Sequence, residues 1–214
     1  MHIQTHRAVL AGIALLSYLL GSLNFALILS KLMVRDDIRR HGSGNAGMTN
    51  MLRTYGKGPA IATAAGDFLK AVAAVVLARL ISARFGGVSP LAGYLAGLFV
   101  ILGHLFPVFF GFRGGKGVMV SLGVIFIIDP LVFAILAVVF IPMVFITRIV
   151  SLASVLGAIL FPAVTYLVRR FQGVPPLQDT VCSCVIGVII LITHRENIVR
   201  LLNGTENRFG SKKK

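Results

Sequence analysis

The chain has 214 residues, of which 57% are hydrophobic, and its 21 Lys and Arg against 7 Asp and Glu give a formal net charge of +14. Only 13% of the residues are charged, about half the share of a typical soluble domain. This composition excludes a water-soluble protein, including a soluble nucleic-acid-binding protein. It predicts an all-α polytopic membrane protein that forms a single integral-membrane domain over residues 1–214.

Seven apolar runs, bounded by turn or charge signals, are candidate membrane spans. They fall at about residues 8–30, 59–82, 90–112, 117–128, 131–147, 150–168 and 179–193. The fourth run has about twelve residues, which is more typical of a re-entrant or interfacial piece than of a full crossing. The first run is too long for a cleaved signal peptide and indicates a membrane anchor.

The distribution of Lys and Arg predicts which side each loop faces. If all seven runs cross, fifteen of these residues lie on one side; five lie on the other, and Lys70 lies inside the second run. If the fourth run alone fails to cross, the count becomes ten against ten. The cytoplasmic loops of membrane proteins are enriched in Lys and Arg. Seven crossings, with the N-terminus outside and the C-terminus in the cytosol, are therefore favoured. A re-entrant hairpin of runs four and five preserves the same bias and stays open.

Three polar segments interrupt the apolar pattern. They cover residues 39–57, 103–117 and 194–208 and are called the first, second and third polar segments. They follow runs one, three and seven, so that seven crossings place all three segments in the cytosol.

The first polar segment has the composition of an anion-binding loop. Its glycines alternate with small side chains that hydrogen-bond, namely Ser43, Asn45, Thr49 and Asn50. Glycine lets backbone N–H groups curl around an anion, and hydroxyl groups add further donors. Arg53 can bind two anionic oxygens side by side, a geometry that Lys does not offer, and Lys57 adds a second cation. The alternative is an ordinary flexible cytoplasmic loop.

The second polar segment ends in a glycine loop, formed by Gly114, Gly115, Lys116 and Gly117. A glycine-rich turn before a helix directs N–H groups and the positive end of the helix dipole at an anion. The P-loop pattern requires a hydroxyl residue after Lys; since Gly117 occupies that position, nucleotide hydrolysis is disfavoured. Alternatively, Lys116 only marks the cytoplasmic end of a membrane span, where basic residues are enriched. His104, earlier in the segment, is either a packing residue or a base.

The third polar segment contains His194 and Asn197, which share one helix face if the helix of run seven continues. They could then contact one ligand. Glu206 lies among many cations and is expected to pair with one of them.

Asp67 and Lys70 lie one helical turn apart inside the second run, where ionisable residues are costly unless they are paired or face a polar cavity. Either a site-supporting role or a self-neutralising ion pair explains them.

Two anion-binding elements, two histidines and an amide beside lipid suit an enzyme that joins a phosphorylated, water-soluble molecule to a lipid-soluble one. No Ser-His-Asp or Cys-His pair is evident, so we expect no acyl-enzyme. We also expect no metal and no cofactor. The rival interpretation is a secondary transporter of a phosphorylated solute, which would place its site near the midplane on broken helices.

These segments, in this order and spacing, resemble the bacterial glycerol-3-phosphate acyltransferases that use acyl phosphate, the PlsY family. The matching residues are Ser43-Gly44-Asn45, Thr49-Asn50, Arg53, Gly103-His104, Gly114-Gly115-Lys116-Gly117, His194-Arg195, Asn197 and Gly204-Thr205-Glu206. The resemblance implies a multi-pass protein of the bacterial inner membrane whose active site faces the cytosol. It also implies transfer of a fatty acyl group from acyl phosphate to the 1-hydroxyl of sn-glycerol 3-phosphate. The products are then lysophosphatidic acid and inorganic phosphate, in the first step of phospholipid synthesis.

Residue roles follow from the resemblance together with the side-chain chemistry. The expected catalytic residues are Ser43, Arg53, His194 and Asn197. The expected substrate-binding residues are Asn45, Thr49, Asn50, Lys57, His104, Gly114, Gly115, Lys116 and Gly117. Structural support is expected from Asp67, Lys70 and Glu206. The expected partners are acyl phosphate, glycerol 3-phosphate and membrane lipid, with no nucleic acid; the sequence identifies no protein partner.

Overall fold

The computed structural model describes residues 2–85 and 90–209, which form ten α-helices and no β-strand. The helices are α1 (His2–Ser22), α2 (Phe25–Val34), α3 (Met48–Tyr55), α4 (Lys57–Phe85), α5 (Pro90–Leu105), α6 (Val118–Ile128), α7 (Pro130–Thr147), α8 (Val150–Phe171), α9 (Leu177–Thr193) and α10 (Arg195–Leu202). They belong to two compact units, Met1–Ile128 and Asp129–Lys214, called the first and second units. Residues 212–214, which contribute to the predicted cytoplasmic charge, lie outside the described residues.

Each of the seven predicted apolar runs contains a helix. Within the described residues, five segments are long and apolar enough to cross a membrane, namely His6–Val34, Lys57–Phe85, Leu91–Phe110, Pro130–Thr147 and Val150–Phe171. Helices α9 and α10 make a sixth if this pair, bent by 66°, is one span. Helix α6 has 11 residues and is about 16 Å long, shorter than the ~30 Å hydrocarbon core. Five or six segments therefore qualify as full spans, where the sequence predicted seven.

The first span is broken between α1 and α2, a feature that the sequence did not predict. Asn24 caps the second half, because its side-chain oxygen accepts a hydrogen bond from the Leu27 N–H at 3.1 Å. The Asn24 Nδ2 donates to the carbonyl oxygen of Ala46 at 3.3 Å. The break therefore connects the first span to the first polar segment.

Glycines bring the helix backbones of the first unit into close contact. Gly103 on α5 lies against the backbone of Tyr18 and Gly21 on α1, and Gly123 on α6 lies against the carbonyl group of Phe68 on α4. A Cβ atom at either glycine would collide with backbone atoms. Lipid provides no hydrophobic force between helices, so van der Waals contact at such small residues stabilises the packing.

One end of the second unit is joined by an ion cluster of Asp129, Arg169 and Asp179. Asp129 caps the start of α7, Arg169 lies in the last turn of α8, and Asp179 lies in the first turn of α9. The Arg169 Nη2 lies 3.1 Å from Asp129 Oδ2, and the Arg169 Nε pairs with Asp179. Helices α7, α8 and α9 therefore run antiparallel in succession.

Candidate active site

Ser43 lies at an exposed turn of the first polar segment. Its neighbours Gly42 and Gly44 have φ angles of 57° and 71°, in the left-handed region that glycine adopts without strain. The backbone N–H of Ser43 donates to Asn50 Oδ1 at 2.9 Å. The turn thereby holds the Ser43 hydroxyl at the protein surface.

Asn50 supports this turn from the inside and is only 1% exposed. Its Nδ2 lies within hydrogen-bond distance of three carbonyl oxygens, those of Ile38, His41 and Asn45. Both ends of the Asn50 amide are thus used within the loop, although the sequence suggested a substrate contact.

Arg39 connects the first and second polar segments. Its Nη1 donates to the carbonyl oxygens of Phe110 and Arg113, each at 2.8 Å, while its Nε donates to Asp37 Oδ1 at 3.0 Å. The hydrogen bond from Arg39 holds the pKa of Asp37 below its ordinary value despite partial burial. Sequence reasoning counted Arg39 only as a cytoplasmic charge. The carboxylate of Asp37, two residues earlier in the sequence, could have indicated that the Arg39 guanidinium has a fixed orientation.

The glycine loop folds back onto the end of α5. The Gly114 N–H donates to the Leu105 carbonyl at 3.0 Å, and the Gly115 N–H donates to the His104 carbonyl at 3.2 Å. These two N–H groups, which the sequence suggested would face an anion, are therefore bonded within the protein. The loop leads directly into α6, as predicted, with Gly117 at a φ angle of 82°.

Gly115 is the point at which the first and second polar segments touch. A Cβ atom there would collide with the His104 Nε2 and with the carbonyl oxygen of Ala46. No side chain therefore fits at this position without moving one segment away from the other. The contact makes the two segments one continuous surface of the first unit, and we call it the Gly115 junction.

A buried cluster of Asp67, Lys70 and His104 lies beneath this surface. The three residues are 1%, 6% and 3% exposed. Lys70 Nζ lies 2.8 Å from Asp67 Oδ1 and 3.1 Å from His104 Nδ1. It also donates to the carbonyl oxygens of Gly21 and Leu23, at 2.9 and 2.7 Å. Because a buried charge requires a counter-ion and hydrogen bonds, the cluster joins the α1–α2 break to the end of α5.

The third polar segment lies in the second unit, and it does not continue the helix of run seven. Helix α9 ends at Thr193 and α10 begins at Arg195, with a 66° bend at the intervening His194. His194 Nδ1 lies 2.8 Å from the Ile190 carbonyl oxygen. Because a carbonyl group only accepts, Nδ1 carries the proton, and a neutral ring then has its lone pair on Nε2.

Glu206 follows α10 in the chain, and its side chain contacts this helix. Its two carboxylate oxygens accept hydrogen bonds from Asn197 Nδ2 at 2.9 Å and from Arg200 Nε at 2.8 Å. Burial acts to raise the pKa of Glu206, but the hydrogen bonds from Arg200 and Asn197 outweigh burial and hold this pKa below its ordinary value. Asn197 is therefore held in place by an ionised carboxylate.

The remaining predicted site residues lie around these features. Lys116, Asn45 and Thr49 are half-buried, whereas Arg53 on α3 and Lys57 at the start of α4 are exposed. Their contacts with substrate stay predictions. Within residues 2–85 and 90–209, no three His, Cys, Asp or Glu side chains lie close enough together to hold a metal ion.

Comparison with known proteins identifies the family. Residues 11–204 match the family model described as glycerol-3-phosphate acyltransferase. The chain is 42% identical to the glycerol-3-phosphate acyltransferase of Clostridioides difficile (strain 630), over 94% of this chain and 96% of the relative. It is 43% identical to that of Agrobacterium fabrum, over 98% and 96%.

A solved structure agrees with this result. The crystal structure of PlsY (YgiH), an integral membrane glycerol 3-phosphate acyltransferase in its glycerol 3-phosphate form, matches with a TM-score of 0.81 and 39% identity, over 94% of this chain and 96% of that one. Its lysophosphatidic acid form matches with a TM-score of 0.79. The chain belongs to the glycerol-3-phosphate acyltransferase family, as its motifs predicted. It is an integral membrane acyltransferase of phospholipid synthesis that acts on glycerol 3-phosphate.

The lowered pKa of Glu206 predicts a pH-dependent contribution to stability. This contribution is complete above the ordinary Glu pKa of about 4.3 and is lost as the pH falls through the lower pKa of the folded state. Glu206→Gln is therefore expected to reduce the thermal unfolding temperature at neutral pH, and the reduction should vanish in acid. The exposed Glu196→Gln on α10 is the control. A reduction that is the same at neutral and acid pH would contradict the ion pair.

Proposed function

We propose that the acyl donor is a fatty acyl phosphate and that the acceptor is the 1-hydroxyl group of sn-glycerol 3-phosphate. The products are then lysophosphatidic acid and inorganic phosphate. The observation that carries this proposal is the Gly115 junction, which makes one glycine-rich surface of the two segments that bear Ser43, Arg53 and Lys116. An acyl phosphate is activated by a simple phosphate, so this surface needs no nucleotide-binding motif. The lysophosphatidic acid form of the similar structure supports the product.

The proposed step needs little covalent chemistry from the protein. The hydroxyl oxygen attacks the carbonyl carbon, and the bond from that carbon to the phosphate oxygen breaks. Phosphate leaves with the electron pair, and the hydroxyl proton leaves with it as hydrogen phosphate. Because an acyl phosphate is a mixed anhydride and already activated, catalysis rests on orientation and charge stabilisation.

The basic side chains are assigned to the two anionic substrates, which repel each other in solution. Arg53 is assigned a two-point contact with phosphate oxygens, and Lys116 acts as a point charge in the glycerol phosphate subsite. Ser43 supplies a hydroxyl donor from its exposed turn. Further contacts are assigned to Asn45, Thr49 and Lys57, while Asn50 positions the Ser43 turn through its buried amide.

His194 and Asn197 are assigned to the same reaction. The Nδ1–H of His194 points to the Ile190 carbonyl, which supports a role for Nε2 as the acceptor of a hydrogen bond from the substrate hydroxyl. Glu206 positions Asn197. The family model spans residues 11–204 and therefore includes His194 and Asn197 together with Ser43, Arg53 and Lys116.

The site is assigned to the cytosolic face of the bacterial inner membrane. We favour seven crossings with the N-terminus outside and the C-terminus inside, because this arrangement gives the charge bias of fifteen against five. The contact between the first and second polar segments supports one common side for these two segments. Because the acyl donor is lipid-soluble, we assign the surrounding membrane as its source.

The donor assignment predicts a direct assay. Detergent-purified protein given palmitoyl phosphate and glycerol 3-phosphate should release phosphate and lysophosphatidate in equal amounts, measured by phosphate detection and lipid chromatography. Palmitoyl-coenzyme A should not replace palmitoyl phosphate. Lysophosphatidate formed from palmitoyl-coenzyme A but not from palmitoyl phosphate would overturn the donor assignment.

The role of Arg53 predicts that Arg53→Lys lowers kcat/KM by roughly 10- to 100-fold, since a charge-assisted hydrogen bond contributes about 1.5–3 kcal/mol. Lysine keeps the charge but cannot contact two oxygens in the same plane. Arg84→Lys, an exposed substitution in the last turn of α4, is the matched control. Steady-state kinetics of both variants measure the effect, and normal turnover by Arg53→Lys would refute the two-point contact.

A further inference from the structure

The proposed chemistry does not use Arg39, although its guanidinium group connects the first and second polar segments. We propose that Arg39 is a positioning residue that fixes the Ser43 turn onto the glycine loop. The turn that bears Ser43 and the loop that bears Lys116 then keep a fixed spacing when the substrates bind. This inference deepens the proposed function and rests on its assignment of Ser43, but it does not depend on the identity of the acyl donor.

Asp37 fixes the orientation of the Arg39 guanidinium. It caps the 3₁₀ turn Ile38–Arg40 and accepts a hydrogen bond from the backbone N–H of Arg39 at 3.0 Å. The same carboxylate meets the guanidinium at two points, with Oδ1 3.0 Å from Nε and Oδ2 2.6 Å from Nη2. A two-point contact of this kind fixes the plane of the guanidinium as well as its distance. The Nη1 group is left to bind the second polar segment.

Nη1 binds two carbonyl groups of that segment, those of Phe110 and Arg113, each at 2.8 Å. A guanidinium has five N–H donors and no acceptor, and it keeps its charge in proteins, so both hydrogen bonds run from Arg39 to the backbone. The ammonium group of a lysine is a single nitrogen. It therefore cannot meet the carboxylate and the two carbonyl groups from the positions that three guanidinium nitrogens occupy.

The two carbonyl groups flank a left-handed turn at Gly111 and Phe112, whose φ angles are 67° and 58°. Glycine adopts this region without strain, whereas a bulky residue adopts it only where its surroundings hold the backbone. The Phe112 N–H donates to the Pro107 carbonyl at 3.0 Å, and Arg39 binds the carbonyl groups on both sides of the turn. The guanidinium thereby stabilises a strained backbone conformation.

The glycine loop that follows this turn is itself fixed to α5. The N–H groups of Gly114 and Gly115 are bonded to carbonyl groups at the end of that helix, and Lys116 comes next in the chain. The Arg113 carbonyl directly precedes this fixed stretch. A hydrogen bond from Arg39 to that carbonyl therefore attaches the first polar segment to the loop that bears Lys116.

Two consecutive turns carry this attachment from Arg39 to Ser43. The His41 N–H donates to the Ile38 carbonyl at 3.1 Å, and the Gly44 N–H donates to the His41 carbonyl at 2.9 Å. Ser43 lies within the second of these turns. The backbone from Arg39 to Ser43 is therefore held in hydrogen-bonded turns, and a displacement of Arg39 displaces Ser43.

Apolar packing keeps this region folded without the guanidinium. Ile38 and Met51 are fully buried, and Phe110 packs against the cluster to which they belong. Hydrophobic contact is not directional, so it holds the two segments near each other without setting their orientation. Arg39→Lys is therefore expected to fold and to lose the orientation.

A double-mutant cycle of Arg39→Lys and Ser43→Ala tests the inference through steady-state kcat/KM for glycerol 3-phosphate. The donor is whichever of palmitoyl phosphate and palmitoyl-coenzyme A gives lysophosphatidate, so that a wrong donor assignment leaves the test intact. Arg39→Lys is expected to lower kcat/KM roughly tenfold in the native background and less than about twofold in Ser43→Ala, because it acts through Ser43. A residue that only stabilises the fold would reduce the active fraction by the same factor in both backgrounds.

Arg40→Lys is the matched control, because this neighbouring side chain is 78% exposed, and we expect it to keep native kcat/KM. Native kcat/KM in Arg39→Lys, or the same loss in both backgrounds, would overturn the inference and leave the proposed function intact. Native kcat/KM in Ser43→Ala would instead refute the role assigned to Ser43, and this inference with it.

A second pair of variants decides if Arg39→Lys does not fold. Gly111 and Gly173 have φ angles of 67° and 71°, and a methyl group added at either position meets nothing within 4 Å. Alanine therefore introduces the same backbone strain at both, but Gly173 lies between α8 and α9 and outside the turn that Arg39 holds. Gly111→Ala is expected to lower kcat/KM roughly fivefold, and Gly173→Ala to leave it native. Equal values in the two folded variants would overturn the inference.

Discussion

The first unit depends on the hydrogen bonds and the ion pair that the ammonium group of Lys70 makes. A break in a membrane helix leaves backbone carbonyl groups without helical partners, which is costly in an apolar environment. A buried lysine is costly for the complementary reason, because its charge and its three donors need partners. In this structure the broken helix and the buried lysine satisfy each other's hydrogen-bonding groups. Lys70 donates to the carbonyl groups of Gly21 and Leu23, and Asp67 neutralises the charge of Lys70. The break and the lysine therefore require each other.

The surface above this cluster is assembled mainly by backbone contacts. Gly115 lets both the His104 ring and the Ala46 carbonyl approach its backbone closely, and the Arg39 guanidinium donates to two carbonyl groups of the second polar segment. The side chains proposed to contact substrate thus stand on a framework in which the Asn50 amide, the Arg39 guanidinium and the N–H groups of Gly114 and Gly115 are hydrogen-bonded within the protein. Such a framework suits a reaction between two anions, because the cations and donors need not rearrange when the substrates bind.

Local patterns in the sequence predicted much of this arrangement. The apolar runs predicted the helices, the pairing of Asp67 and Lys70 was one of the two interpretations that their spacing left open, and the glycine loop leads into α6 as expected. The break at Asn24 was missed because its apolar neighbours continue the pattern of a single span. The inward role of Asn50 and the bonds of Arg39 depend on atoms that tertiary contact brings together, and neither residue type nor spacing carries that information. The cluster of Asp129, Arg169 and Asp179 was missed for the same reason, since its members belong to three different helices.

The central claim is that the Gly115 junction builds the binding site for glycerol 3-phosphate. Calorimetric titration of glycerol 3-phosphate into Gly115→Ala and Gly58→Ala tests it most directly, because both variants add the same methyl group. At Gly58 that group meets nothing within 4 Å, whereas at Gly115 it collides with His104 and Ala46. We expect native affinity for Gly58→Ala and roughly tenfold weaker binding for Gly115→Ala, because the added methyl group forces backbone shifts of the kind that cost about 1–3 kcal/mol and moves one polar segment away from the other. Equal affinities in two folded variants would contradict the account.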